Sequence, residues 1–270
     1  MENIYFLFAN PFKEDTISAA NNFAERLLAH NAQVILDTWL FEKLRIGKGM
    51  TLQEIKHPMS AIVSFGGDGT LLRTIPAAAK NNIPILGINM GHIGFLMETD
   101  IHHMEEAVLR LLRRDFEIEH RMMLCADVSG HGQYLVMNDI ALMRGQSPSS
   151  AVIHAYANDE KVFRVHGDGV LISTPTGTTG YSISAGGPVV SPKLNCITVV
   201  PVCSHVLHNR PVVLPPDDVI RLMATIEGEK AYQILIDGQI SIPVTETVEI
   251  IIRQAQERAG FIRFSEQRFL

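Results

Sequence analysis

Ser60-Ala-Ile-Val-Ser-Phe-Gly-Gly-Asp-Gly-Thr-Leu-Leu-Arg73 is the stretch around which the rest of the chain is read. Ala61 to Phe65 is a short apolar, β-branched run and predicts a buried strand. Gly66, Gly67, Asp68, Gly69 and Thr70 follow. Leu71 to Lys80 then predicts a helix, interrupted or kinked near Pro76. A strand therefore feeds a glycine-rich turn that opens a helix. Backbone amides unobstructed by side chains at such a place make an anion site. Asp68 would repel a phosphate, so its presence points to a carboxylate that binds or deprotonates a hydroxyl beside one. The competing reading is a tight turn whose Asp caps the helix. The turn has neither the Gly-Lys-Ser/Thr of a Walker A loop nor a GxGxxG dinucleotide pattern.

Around this stretch, strands alternate with helices. Ile4 to Ala9 reads as a buried parallel strand and Thr16 to His30 as a helix with Ile17, Ala20, Phe23, Ala24, Leu27 and Leu28 on one face. Gln33 to Asp37 reads as a strand, Thr38 to Lys56 as a loop with a short helix, Ile83 to Ile88 as a strand and Ile101 to Arg114 as an amphipathic helix. This alternation predicts an open, mainly parallel sheet covered by helices. Both glycine loops, Gly66 to Thr70 and Gly87 to Leu96, then fall at the C-terminal ends of strands, where such sheets bind ligands. Beyond Phe116 short strands take over, among them Met122 to Val128, Tyr134 to Met143, Gly169 to Ser173 and Thr247 to Ile252. They predict an all-β antiparallel C-terminal domain. The expected division is residues 1–118 with 253–270, the tail returning to the first domain, and residues 119–252.

Composition narrows the function. The 270 residues are 46% hydrophobic, enough for a large core. The net charge of -6 with no basic run argues against nucleic acid. Cys125, Cys196 and Cys203 lack metal or CxxC spacing and read as buried, reduced thiols of a cytoplasmic protein. There is no signal-peptide pattern and no apolar run of membrane-spanning length, so no membrane partner is expected. His205 and His208 could hold a metal on a helix, but the flanking prolines and the lack of a third ligand oppose it. No protein metal site is expected.

The second informative stretch is Gly167-Asp-Gly-Val-Leu-Ile-Ser-Thr-Pro-Thr-Gly-Thr-Thr-Gly-Tyr-Ser-Ile-Ser-Ala-Gly-Gly-Pro188. It interleaves hydroxyls with glycine and adds one aromatic ring able to stack on a base and one carboxylate, Asp168. A polar ligand site fits this composition; a turn-rich β domain is the alternative.

Gly-Gly-Asp-Gly-Thr resembles the motif shared by NAD kinases, diacylglycerol and sphingosine kinases and, more distantly, 6-phosphofructokinases. The 167–188 stretch resembles the NAD kinase signature, and Asn138-Asp139, Gly87 to Leu96 and Ile234 to Gln239 resemble further segments of that family, so the likeness covers nearly the whole chain. The resemblance implies transfer of the γ-phosphoryl group of ATP, or of polyphosphate, to the 2′-hydroxyl of the adenosine ribose of NAD. It implies Asp68 as general base and Gly66, Gly67, Gly69 and Thr70 as the phosphate loop. It places Asn138 and Asp139 on the adenosine, Asp139 at its ribose hydroxyls. It implies Tyr181 and Ser184 at the adenine, with Thr176 and Thr179 alongside and Phe95 near the base, and Asp168 at the nicotinamide end. Gly180, Ser182, Ile183, Cys203, His166 and Gln239 complete the expected substrate-binding set. Mg²⁺ is expected to arrive mainly on ATP, and a dimer or tetramer is implied. Two departures from the pattern are Gly180, where the family usually has alanine, and His166, where many members have arginine. A silent dinucleotide sensor and a lipid or small-alcohol kinase are the alternative functions.

Overall fold

The computed structural model describes residues 3–91, 94–145, 150–206, 208–224 and 231–264. These divide into two compact units, one of residues 3–120 with 257–264 and the other of residues 121–256.

The first unit is α/β. Its elements are β1 (Ile4–Ala9), α1 (Glu14–Ala29), β2 (Gln33–Asp37), α2 (Thr38–Leu44), β3 (Lys48–Met50), β4 (Ala61–Gly66), α3 (Asp68–Leu72), α4 (Ile75–Lys80), β5 (Ile85–Asn89), β6 (Thr99–Asp100) and α5 (Met104–Arg113). The strands run parallel in the order β5-β4-β1-β2-β3. Every residue of β4 is buried, as expected of a central strand covered on both faces. Phe23 of α1 meets Phe65 of β4 edge to face at 5.4 Å between ring centres. The expected single helix after Gly69 is two. α3 stops at Leu72, and Pro76 lies in the first turn of α4, where its missing N–H has no intrahelical role. The sequence reading missed β3 and β6, which are too short to show a period.

Among its described residues the second unit is all-β apart from one short helical stretch. It contains β7 (Glu117–Val128, from Arg121 onward), β8 (Gly132–Val136), β9 (Asp139–Arg144), β10 (Ala151–Ala157), β11 (Glu160–Gly167), β12 (Gly169–Ser173), α6 (Tyr181–Ser184), β13 (Ile197–Val202), β14 (Val212–Leu214), β15 (Ile220–Ala224), β16 (Tyr232–Ile236), β17 (Ile240–Val244) and the first part of β18 (Val248–Arg263). One antiparallel sheet has the order β14-β13-β12-β9-β16-β17. The other runs β11-β10-β15-β18. Side chains from both sheets, such as Ile140, Ile172 and Ile234 from one and Ile153, Leu222 and Ile250 from the other, share one core. β10 and β15 alternate buried and half-buried residues, as strands with a single covered face do.

Two expectations are corrected here, and one is given its form. Tyr134 to Met143 is not one strand but two, β8 and β9, interrupted at Met137-Asn138. The C-terminal segment returns to the first unit as expected, and it does so as a strand, because β18 continues to Arg263; residues 265–270 lie outside the described residues. The three cysteines are free, but Cys203 is exposed and Cys125 half-buried, so only Cys196 is the buried thiol expected.

Candidate functional site

In the first unit the chain leaves β1 towards β2 on one side, and β4 leads to β5 on the other. The switch point between β1 and β4 is where an open parallel sheet leaves a crevice for ligand. β4 ends there at Gly66, Gly67 caps α3, and Asp68 is the first residue of that helix. Gly69 is exposed and Thr70 buried. Asp68 is held from the segment that follows β5: Phe95 N–H donates to its Oδ2 at 3.0 Å and Leu96 N–H to its Oδ1 at 3.2 Å. Gly94 makes this grip possible, because a Cβ there would overlap the Asp68 carboxylate. Phe95 presents its ring to solvent, 58% exposed. His92 and Ile93 of the Gly87 to Leu96 stretch lie outside the described residues. Arg73 lays its guanidinium over the Phe8 ring at 5.2 Å.

In the second unit the break between β8 and β9 is made by Asp237. Its Oδ2 accepts from Met137 N–H at 2.9 Å, and its Oδ1 accepts from Asn138 N–H at 2.6 Å and Asp139 N–H at 3.1 Å. Asp237 N–H donates in turn to Asp139 C=O at 2.9 Å. Asp237 sits at φ 50°, a left-handed conformation that Asp tolerates. The Asn138-Asp139 pair is therefore set by a residue about a hundred positions later. Thr174 fixes the same bend from the other side, donating Oγ1 to Met137 C=O at 2.7 Å. Gly177 passes so close to Asn138 that any Cβ would strike its backbone.

Asp139 is 6% exposed, and its carboxyl is pushed up to about 7 by burial first and by the Asp237 carboxylate second, against an N–H bond from Tyr181. Burial pushes Asp237 up as well. A methyl on Gly180 would lie 3.7 Å from Asp139 Oδ2 and 3.9 Å from Asn138 Nδ2. The departure at Gly180 thus opens space directly beside this pair.

The hydroxyls of the 174–179 stretch are mostly committed to the loop itself. Thr178 Oγ1 donates to Pro175 C=O at 2.6 Å and accepts from Val190 N–H at 3.1 Å, and Thr179 Oγ1 donates to Thr176 C=O at 3.2 Å. Thr176 and Ser182 are buried, whereas Tyr181, Ile183 and Ser184 face outward. Asp168 is paired with Arg144, Nε to Oδ1 at 2.5 Å. That guanidinium, helped by the Cys203 thiol, holds the Asp168 carboxyl below the usual carboxylate range. The hydrogen bond to Asp168 in turn pushes the Cys203 thiol up. Cys203 adopts φ 48°, uncommon for a residue with a side chain. His166 stacks on His205, 5.6 Å between ring centres. Gln239 is exposed in the turn after Asp237. The sequence reading missed Arg144 as the partner of Asp168. Among the described residues no three of His, Cys, Asp and Glu gather as a metal cage.

Residues 6–116 match the family profile described as the ATP-NAD kinase N-terminal domain, and residues 137–264 match that of the ATP-NAD kinase C-terminal domain. The NAD kinase of Heliobacterium modesticaldum is 33% identical over 264 residues, covering 96% of this chain and 93% of its own. The chain belongs to the NAD kinase family. The NAD kinase of Methanosphaera stadtmanae is 34% identical over 255 residues, 94% of this chain and 92% of its own. Among solved structures, yeast NADH kinase complexed with NADH superposes with a TM-score of 0.89 at 23% identity, over 98% of this chain and 84% of that one. An NAD kinase from Archaeoglobus fulgidus in complex with ATP gives 0.75 at 24%, over 100% and 95%. Both share the fold described above: an α/β unit with a parallel sheet and an antiparallel β unit.

Proposed function

We propose that this member of the NAD kinase family phosphorylates NAD at the 2′-hydroxyl of the adenosine ribose, with ATP as donor, to give NADP. The observation that carries the reading is the Asp68 carboxylate, gripped by the Phe95 and Leu96 amides at the switch point of the sheet. A carboxylate with both oxygens fixed in a glycine loop is placed to orient a hydroxyl and to accept its proton as the O–P bond forms. Phosphoryl transfer needs positioning and charge neutralisation more than covalent help from the protein. In this reading the divalent ion arrives on the ATP phosphates, where it neutralises charge, and Asp68 is the carboxylate of the glycine loop available to it.

In the same reading Gly66, Gly67, Gly69 and Thr70 carry the phosphates. Asn138 and Asp139 hold the adenosine, and Tyr181 stacks on its base. Asp168, fixed by Arg144, receives the nicotinamide amide. The enzyme acts in the cytoplasm as a homo-oligomer assembled through the β unit. Among the described residues no helix is long and apolar enough to cross a membrane.

The test is NADP formation from NAD, ATP and Mg²⁺ by wild type and Asp68→Asn, with NAD binding measured by calorimetry. The asparagine keeps shape and one acceptor but removes the base. Loss of a general base predicts a fall in kcat of about 10²- to 10⁴-fold with NAD affinity retained. An Asp68→Asn enzyme with wild-type kcat would overturn the role. Wild type that binds NAD and makes no NADP would identify a sensor.

A further inference from the structure

The segment that grips Asp68 has no regular secondary structure between Gly94 and Glu98. Something must hold it, and the holder is the C-terminal end of β18. Arg263 Nη1 donates to Leu96 C=O at 3.4 Å and pairs with Glu98 Oε2 at 3.2 Å, while its Nε pairs with Glu119 Oε2 at 2.8 Å. Glu98 Oε1 accepts Phe264 N–H at 2.7 Å, and Phe264 C=O accepts from Arg110 at 2.8 Å. Glu98 N–H is anchored to Gly87 C=O at 3.0 Å. Leu96 is thus bonded through both of its main-chain groups, its N–H to Asp68 and its C=O to Arg263.

The side chains of Arg263 and Glu98 are only 6% and 3% exposed. Burying such a cluster costs desolvation that a well-packed apolar group would avoid, so stability alone is a poor reason for it. A planar guanidinium with several donors in fixed directions is suited instead to setting the geometry of a loop. We infer that Arg263 is a positioning residue for catalysis: through Leu96 and Glu98 it fixes the two amides that orient the Asp68 carboxylate. The C-terminal strand is then part of the catalytic apparatus although it contributes no group to the reaction. The inference rests on the reading of Asp68 given above.

The experiment is a double-mutant cycle between Arg263→Lys and Asp68→Asn, read by single-turnover NADP formation and by calorimetric NAD affinity. Lysine keeps the buried charge, but a single ammonium cannot serve Leu96, Glu98 and Glu119 in the geometry of the fork. Arg263→Lys is expected to lower kcat about 10- to 100-fold on the wild-type background, the scale of a misplaced catalytic group, with KM for NAD within about threefold. On the Asp68→Asn background it is expected to cost nothing further, because the group it orients has already been removed. Equal losses on both backgrounds, or no loss on wild type, would overturn the inference. Should Asp68→Asn itself keep full activity, the failure lies with the role of Asp68 and takes this inference with it. Arg263→Met serves as a second probe, with the melting temperature measured beside kcat. A loss of kcat for Arg263→Lys at unchanged melting temperature supports positioning.

Discussion

Replacing Asp139 with asparagine is expected to stabilise the β unit at pH 8 while weakening its hold on NAD. The Asp139 carboxyl is raised from 3.8 to about 7, chiefly by burial and secondarily by Asp237. The difference is about 3 pH units, which at 1.36 kcal/mol each is roughly 4 kcal/mol. The folded state holds the proton more tightly than the unfolded state. Below about pH 4 both are protonated and no penalty exists; stability then falls as pH rises towards 7 and the full penalty applies above it. Asparagine is neutral at every pH and escapes this loss. Its amide must still be accommodated beside Asp237 and the Tyr181 N–H, so the net gain at pH 8 is expected nearer 2 kcal/mol, shrinking as pH approaches 4. Urea unfolding followed by circular dichroism at pH 5 and pH 8 measures it. An Asp139→Asn protein destabilised equally at both pH values would refute the reasoning. If Asp139 takes the ribose hydroxyls as proposed, its ionised form accepts from them more strongly than the neutral acid, so NAD affinity of the wild type is expected to rise with pH through about 7 and that of Asp139→Asn to change less.

Gly67→Ala tests the phosphate loop without disturbing the fold. Gly67 has φ -121° and ψ -174°, and a Cβ there meets nothing within 4 Å. Stability is expected to change by less than about 0.5 kcal/mol, whereas KM for ATP is expected to rise at least tenfold as the methyl enters the space for phosphate; an unchanged KM removes Gly67 from the loop's function. Arg144→Met frees Asp168 from its partner. The pair is partly exposed, 38% and 37%, so the melting temperature is expected to move by no more than about 2 °C, while KM for NAD rises several-fold. A KM that does not move would show that Asp168 needs no fixing.

The central strand and its glycine loop could be read from residues 60–73 because every signal there is local. An apolar run of strand length, a cluster of glycines and a helical start each depend on neighbours in sequence. The change from alternating helices and strands to short strands near residue 117 was legible for the same reason, and so were Asp68 and Asp168 as chemical groups, whereas Asn138 was marked only by resemblance to the NAD kinase family. What each group is bonded to was not. The bend that separates β8 from β9 exists because Asp237 takes three N–H groups 98 to 100 residues away. Asn138-Asp139, poor strand formers, mark where Tyr134 to Met143 could break, but nothing in the run announces that a distant carboxylate holds the bend. The partner of Asp168 is Arg144, 24 residues earlier, brought opposite by the pairing of β12 with β9. The grip on Asp68 comes from Phe95 and Leu96, and the grip on those from Arg263, 167 residues beyond Leu96. Local sequence sets backbone preference and the kinds of chemistry available. Which carboxylate ends buried, paired or shared is decided by strand register and chain crossing, because desolvation and hydrogen-bond partners are properties of the packed chain.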